Sequence, residues 1–314
     1  MRLLPLLLLA SAVASAQAPE RSVLVGAGSP VLALDVSPDG RRFVAGSADG
    51  SIRVWDTSTW ECERTLRDRG GEIRLARFAP DGSTIVTTEA GDRLSTWDAA
   101  TGEEIASRAN AATGAVCFEP GGRWFASQEM GGSGLRDGRT GDLIRMAFRR
   151  HIGSIGLLGE GRFLVQRRDE FLAEGGGYQT TPYLAVVDIE AGRAVRARFE
   201  CDPGEIVVVE GSLVLLHGSR ERAAHLWDLE TGSRVRSISN VAAEPALGPG
   251  GRAVAWGGED SALNVLDVRS GDARSLKCPD DAPGAVRFDP QGRWIAAAGR
   301  RGHLHVWKTP DGGD

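Results

Sequence analysis

The side chains best suited to chemistry in this sequence are five histidines and four cysteines. His303 and His305 alternate within an apolar stretch, so on a strand they face one side, as two metal ligands might. Asp280 and Asp281 lie in the preceding connection and could in principle approach, but nothing requires it. A two-residue spacing is a weak metal signal, and a structural or surface role is the stronger reading. His151, His217 and His225 stand singly. Cys62, Cys117, Cys201 and Cys278 form no CxxC pattern. Four cysteines permit two disulfides in three connectivities, but these four are widely separated, and free thiols are the expectation. No GxSxG, HExxH, Walker loop or dinucleotide fingerprint occurs. Gly175-Gly176-Gly177 is the densest glycine run, yet no helix pattern follows to supply a phosphate-binding N-terminus. The expectation is no catalytic residue, no metal and no cofactor.

Composition narrows the partners. The chain of 314 residues is 41% hydrophobic and 25% charged, with net charge −5, ordinary for a soluble globular protein. Nucleic-acid backbones require clustered Lys and Arg, and here the basic residues are scattered, so no nucleic acid is expected. Eight Trp nearly equal nine Phe and far exceed two Tyr. That bias calls for an explanation, which the elements carrying the tryptophans supply.

Val31 to Asp56 holds three apolar runs broken by two turns. Ser37-Pro38-Asp39-Gly40 is the first turn, with Pro pre-setting φ and Gly free to adopt positive φ. Ser47-Ala48-Asp49-Gly50 is the second. The closing Trp55-Asp56 pair returns as Trp97-Asp98, Arg136-Asp137, Val187-Asp188, Trp227-Asp228, Leu266-Asp267 and Trp307-Lys308. The mean step is about 42 residues, the length of a four-stranded propeller blade. The first turn recurs in register, among others as Pro80-Asp81-Gly82, Pro120-Gly121-Gly122 and Pro290-Gln291-Gly292.

These repeats resemble the WD-repeat family of β-propellers over nearly the whole chain. The resemblance implies an all-β, seven-bladed propeller of four-stranded antiparallel blades. It also implies that a spare N-terminal strand, Arg21 to Gly26, completes a last repeat that has only three strands of its own. Such closure removes an edge that would otherwise pair with other chains. The strongest WD repeats join a His, a Ser or Thr, an Asp and the Trp by hydrogen bonds. Ser47, Asp49 and Trp55 match this set in the first repeat, with Ala27 at the His place, and Asp260 keeps the turn position in the sixth. Trp97, Trp227 and Trp307, with Asp56, Asp98 and Asp228, are the other structural repeat residues. No repeat has the full set, so apolar packing between blades should supply most of the stability. The third repeat is degenerate, with a weak third strand around Met130 to Gly134.

Met1 to Ala16 reads as a secretory signal: Arg2, an apolar run from Leu3 to Leu9, and a small-x-small site at Ala14-Ser15-Ala16. The mature domain is then 17–314, exported to a periplasm or beyond the cell, with no membrane insertion. The one large insertion, Gln166 to Tyr183, lies between the second and third strands of the fourth repeat. It reads as a loop on the face of the inter-blade connections. Loops of that length tend to be functional or disordered, and both readings stay open. Arg167, Arg168, Phe171, Tyr178 and Tyr183 are of types that interfaces favour. The expected function is a monomeric, non-catalytic scaffold presenting this face to an unidentified protein partner. Two alternatives remain: an exported propeller enzyme, lactonase-like or oxidoreductase-like, at the central channel, and a binder of a small ligand or glycan at the channel mouth. Trp60 and Trp256, outside the repeat positions, are the tryptophans that would mark the latter.

Overall fold

The computed structural model describes residues 20–24, 28–67, 70–109, 111, 116–129, 132–149, 152–159, 162–172, 178–188, 193–194, 199–201, 205–218, 221–258, 261–278 and 282–309. The expected secretory signal and Asp260 lie outside them. Among the described residues no helix is long and apolar enough to cross a membrane.

The strands fall into sheets in chain order. After β1 (Arg21–Leu24), the first blade is β2 (Val31–Val36), β3 (Arg42–Ser47), β4 (Ile52–Asp56) and β5 (Cys62–Arg67). The second is β6 (Ile73–Phe78), β7 (Thr84–Glu89), β8 (Arg93–Asp98) and β9 (Glu104–Arg108). The third is β10 (Val116–Phe118), β11 (Trp124–Glu129), β12 (Gly132–Asp137) and β13 (Leu143–Arg149). Next come β14 (Ile152–Gly159), β15 (Arg162–Leu172), β16 (Tyr178–Asp188), β17 (Arg193–Ala194) and β18 (Phe199–Glu200). Then follow β19 (Glu205–Glu210), β20 (Leu213–Gly218), β21 (Ala223–Asp228) and β22 (Ser233–Ser239). The next blade is β23 (Ala246–Leu247), β24 (Ala253–Gly257), β25 (Ala262–Asp267) and β26 (Ala273–Lys277). The closing blade is β27 (Pro283–Phe288), β28 (Trp294–Gly299) and β29 (His303–Lys308), with β1 outside β29.

The expectation of seven four-stranded blades is therefore corrected. Among the described residues six sheets have that form, not seven, and the stretch carrying the insertion makes a five-stranded sheet instead. Its third strand, β16, is 11 residues long, more than one ordinary outer strand covers. Two short strands divide its edge: β17 pairs with Val187 and Asp188, and β18 with Tyr183 and Leu184. The N-terminal strand does complete the last repeat, with Arg21 opposite Val306 and Leu24 opposite His303. Ser22 Oγ and His305 Nδ1 lie 2.8 Å apart across this pairing, which gives the buried His305 a structural role.

Turn chemistry sets the strand spacing. In the first turn Gly40 N–H donates to Ser37 O at 2.8 Å, with Gly40 at φ 67. The bond recurs as Gly82 to Ala79, Gly122 to Glu119 and Gly292 to Asp289, each at 2.8 Å. After five of the third strands an Asp side chain caps the next turn. Asp98 Oδ1 accepts the N–H groups of Ala100 and Thr101 at 2.9 and 2.8 Å, and Asp56, Asp137, Asp228 and Asp267 do the same in their repeats. This turn ends on a positive-φ residue, filled by Gly102, Gly141, Gly232 and Gly271, but by Trp60 (φ 62) in the first blade. Trp60 stays there by packing on Phe43 and Trp294, at ring centroid distances of 5.9 and 5.8 Å.

The core lies between blades. Leu34, Phe43, Ala45 and Trp55 pack against Ala296, Ala298 and Leu304 of the closing blade. Val44, Ile52 and Val54 pack against Ile73, Ile85 and Trp97 of the second. Val86 and Leu94 meet Phe125 of the third. Trp256 is buried in such a seam with Leu215 and Leu226. Sheets approach closely: a methyl on Gly46 would collide with Ile73.

The Trp positions are paired differently from the expected set. Trp97 lies opposite Ile85, and its indole N–H donates to Thr87 Oγ1, two residues along the same strand, at 2.9 Å. Trp55 lies opposite Phe43, so the equivalent position is Ala45, not Ser47, and the buried Trp55 indole N–H has no acceptor among the described residues. Trp227 is in the same state, because its equivalent position is Leu216. Ser47 and Asp49 serve the turn instead: Ser47 O accepts Gly50 N–H at 3.0 Å, and Asp49 Oδ1 accepts Ser51 N–H at 2.9 Å. Trp307 is fully buried against Val265 and Ile295. The degenerate third repeat is also corrected. Its third strand forms as β12, paired on both sides.

Candidate functional site

The propeller has two faces that its hydrogen bonds tell apart. On one, the turn after the third strand docks on the turn after the first: Thr57 N–H to Arg41 O and Ala99 N–H to Ser83 O, both 2.9 Å, and Gly138 N–H to Arg123 O, 2.8 Å. On the other, the turn between second and third strands docks on the inter-blade connections: Ala48 N–H to Pro30 O at 2.9 Å, Ala90 N–H to Glu72 O at 2.8 Å. Antiparallel order directs the Leu172–Tyr178 end of the β15–β16 ladder toward this second, connection face.

The insertion is not a loop. β15 and β16 run on as one ladder, from Arg162 opposite Asp188 to Leu172 opposite Tyr178. Each is 11 residues long, where β3, β7, β11, β20 and β28 have 6. The five extra residues extend about 17 Å at the rise of a strand. The ladder pairs Arg167 with Tyr183, Arg168 with Pro182, Phe171 with Gln179 and Leu172 with Tyr178. Strand alternation gives Arg167, Phe171 and Tyr183 one parity of the ladder, and Arg168 and Tyr178 the other. The five expected contact residues thus share one ribbon but are divided between its two sides. Tyr183 is at its root and is buried. Gly175-Gly176-Gly177 lie outside the described residues.

A second constellation escaped the sequence reading. The first strands are innermost: β2 touches β6 and β27, and β14 touches β10 and β19. Asp35 of β2, Arg77 of β6 and Arg287 of β27 occupy the same place, three residues before the Pro of the following turn, and Cys117 takes it in β10. Glu244, on the connection before β23, joins them and makes a parallel bridge with Ala285. The four charges close a ring. Arg77 Nη1 is 3.4 Å from Asp35 Oδ1, and Arg77 Nη2 is 3.6 Å from Glu244 Oε1. Arg287 Nη2 is 3.5 Å from Glu244 Oε1, and Arg287 Nε is 3.8 Å from Asp35 Oδ1. Asp35 is held further by Phe78 N–H, which donates to its Oδ2 at 2.8 Å.

Electrostatics follow from this alternation. Burial opposes the charge on Arg77, but Asp35 and Glu244 outweigh it and raise its pKa. Burial and then the facing Arg77 lower the pKa of Arg287, against the pull of Glu244 and Asp35. Enclosure by the neighbouring strands disfavours the Glu244 carboxylate although the side chain is half-exposed, yet Arg287, Arg77 and His217 hold its pKa below the ordinary value. His217 is pushed toward its neutral form by burial, and its Nε2 has no hydrogen-bond partner. The ring binds charge to charge. Its residues were legible in principle as one charged column ahead of the Pro-containing turns. Glu244, outside any strand, was not.

The remaining candidates sort simply. His303 and His305 stack at 6.1 Å on β29. Cys62 is exposed, Cys117 and Cys201 are partly buried and Cys278 is buried. Neither Trp60, in a turn of the opposite face, nor Trp256, in a seam between blades, marks a channel mouth.

The family described as "WD domain, G-beta repeat" matches at residues 19–56 and 273–308, the two stretches that close the ring. Among curated proteins no sequence matches this chain significantly. Solved structures match in 1556 chains, so fold likeness does not single out a function. One is the crystal structure of the Myceliophteria thermophila Cps50 (Swd1) beta-propeller domain, with TM-score 0.73 and 16% identity, over 93% of this chain and 99% of that one. At that identity the likeness defines the fold alone. The chain is a β-propeller, and its first and last repeats match the WD-repeat family.

Proposed function

We propose that this protein is an exported, monomeric, non-catalytic scaffold that binds a protein partner through its connection face, with the β15–β16 hairpin as the principal contact. Propellers with WD repeats commonly mediate protein–protein interaction, which supports the class of function. The observation that carries the reading is the hairpin: one ladder of strands continues well past the length of its counterparts, on the face where the connections lie. An extended ribbon offers a partner both backbone groups and side chains at fixed spacing. Arg167, Arg168, Phe171 and Tyr178 are the proposed contacts, with the buried Tyr183 at the root of the ribbon. The leader-like Met1 to Ala16 supports export.

The test is affinity capture from envelope and secreted fractions. Wild type is compared with a variant whose residues 167–182 are replaced by a short Gly-Ser turn. Loss of a captured protein by the variant, with the fold intact by circular dichroism, is the expected outcome. Equal capture moves the site off the hairpin.

A further inference from the structure

We propose that the Arg77–Arg287 pair in the channel is a receptor for a carboxylate, and that Glu244 occupies it as an internal substitute. The site is separate from the hairpin and stands or falls independently of the partner reading above.

The two carboxylates of the ring are not equivalent. Asp35 is built in: it sits on an inner strand, takes a backbone hydrogen bond from Phe78 at 2.8 Å, and is 17% exposed. Glu244 is carried by a connection rather than a strand. It reaches both guanidinium groups through the single oxygen Oε1 at 3.5 and 3.6 Å, and is 48% exposed. A bidentate Arg–carboxylate pair is shorter, about 2.7–2.9 Å, and uses both oxygens. Glu244 therefore fills the position without using its binding capacity.

The receptor side is fixed. Arg287 is 14% exposed and donates from Nη1 to its neighbour Val286 O at 2.7 Å, which orients the guanidinium. Among the described residues its Nε, 3.8 Å from Asp35 Oδ1, has no hydrogen-bond partner, and neither has the buried Nε2 of His217. Unmade hydrogen bonds of buried groups are costly, and a ligand that supplies acceptors recovers that cost. With Glu244 swung aside, Arg77 and Arg287 face Asp35 alone, a net positive charge in a site screened from bulk water. A ligand carboxylate restores neutrality and brings two acceptor oxygens.

The experiment measures binding by calorimetry, using the full chain, of glutarate, its diamide glutaramide, inorganic phosphate, and a short synthetic peptide carrying one glutamate. Glu244→Gln removes the internal carboxylate and keeps its shape. Glu244→Asp shortens it and provides a second variant should Glu244→Gln fold poorly, with melting temperature as the check. Both variants should bind glutarate more tightly than wild type, Glu244→Gln by about tenfold or more. Arg287→Gln added to either should remove the gain, and glutaramide should not bind. Tighter binding of the peptide than of glutarate points to a carboxylate supplied by a protein; equal or weaker binding points to a small molecule. The proposal is overturned if neither variant binds better than wild type. It is equally overturned if binding survives the loss of Arg287, or if glutaramide or phosphate binds as tightly as glutarate.

Discussion

Arg136 Nε donates to Ser127 Oγ at 3.2 Å, in the place where Trp97 Nε1 donates to Thr87 Oγ1 at 2.9 Å one blade earlier. Arg136 lies opposite Phe125, and Ser127 is two residues further along that strand, so the two pairs are geometrically equivalent. The degenerate repeat keeps the hydrogen bond of a WD repeat and changes the donor. Arg136 also donates from Nη1 to Gly141 O at 2.7 Å, which ties its turn to the strand. Ser127→Ala removes one acceptor of a buried guanidinium and should cost about 1–3 kcal/mol in urea unfolding. The complementary change, Ala45→Ser, places a hydroxyl where the buried Trp55 N–H has none. It should raise stability by about 0.5–1.5 kcal/mol.

Trp60 presents the opposite case, a large side chain where four other repeats use glycine. Trp60→Gly relieves a left-handed backbone, worth about 1–2 kcal/mol. It also removes the packing on Phe43 and Trp294, and losing a large aromatic side chain costs about 3–5 kcal/mol where burial is complete. Trp60 is only partly buried, so the net loss should be about 1–2 kcal/mol, read by denaturant unfolding at unchanged slope.

The turn aspartates predict the acid limit of the fold. The Ser58 hydroxyl and the Thr59 and Ser58 N–H groups lower the pKa of Asp56, and the N–H of Thr101 leads the lowering at Asp98. Asp267 is lowered chiefly by the N–H of Ser270. A carboxylate whose folded pKa lies below its unfolded value near 4 adds stability that is fully present above that value. The contribution disappears as pH falls through the folded pKa. Melting temperature should therefore be flat near neutrality and drop below about pH 4, and the triple Asp→Asn variant should show a shallower acid drop.

Ring closure is testable at β1. Removing residues 1–24 uncovers the outer edge of β29 and takes Ser22 from His305. An uncovered edge pairs with other chains. The truncated protein should scatter light on warming at concentrations where the full chain stays clear.

How far the sequence was legible depended on whether a feature was local. Pro-Asp-Gly turns and Asp-capped turns are local chemistry, and Gly40, Gly82 and Asp98 sit where their types required. Closure by β1 followed from matching one spare strand to one missing strand. The insertion misled because a glycine run and charged residues resemble a loop, whereas its strand character resides in the cross-strand register of Arg167 with Tyr183. The long β16 carries two short outer strands, β17 and β18, in place of one regular fourth strand. Ser47 misled because its type fits a Trp partner, but register assigns that role to Ala45. The channel ring joins residues from β2, β6, β27 and a connection, and only the folded chain brings Glu244 to Arg77.

The most direct test of the scaffold account is the affinity of a captured partner for two sets of hairpin variants. Arg167→Ala with Phe171→Ala changes one parity of the ladder; Arg168→Ala with Tyr178→Ala changes the other. The account predicts that one pair weakens binding by about tenfold or more while the other has little effect, since a partner docks on one side of a ribbon. Unchanged affinity in both pairs and in the hairpin-replaced protein would contradict it.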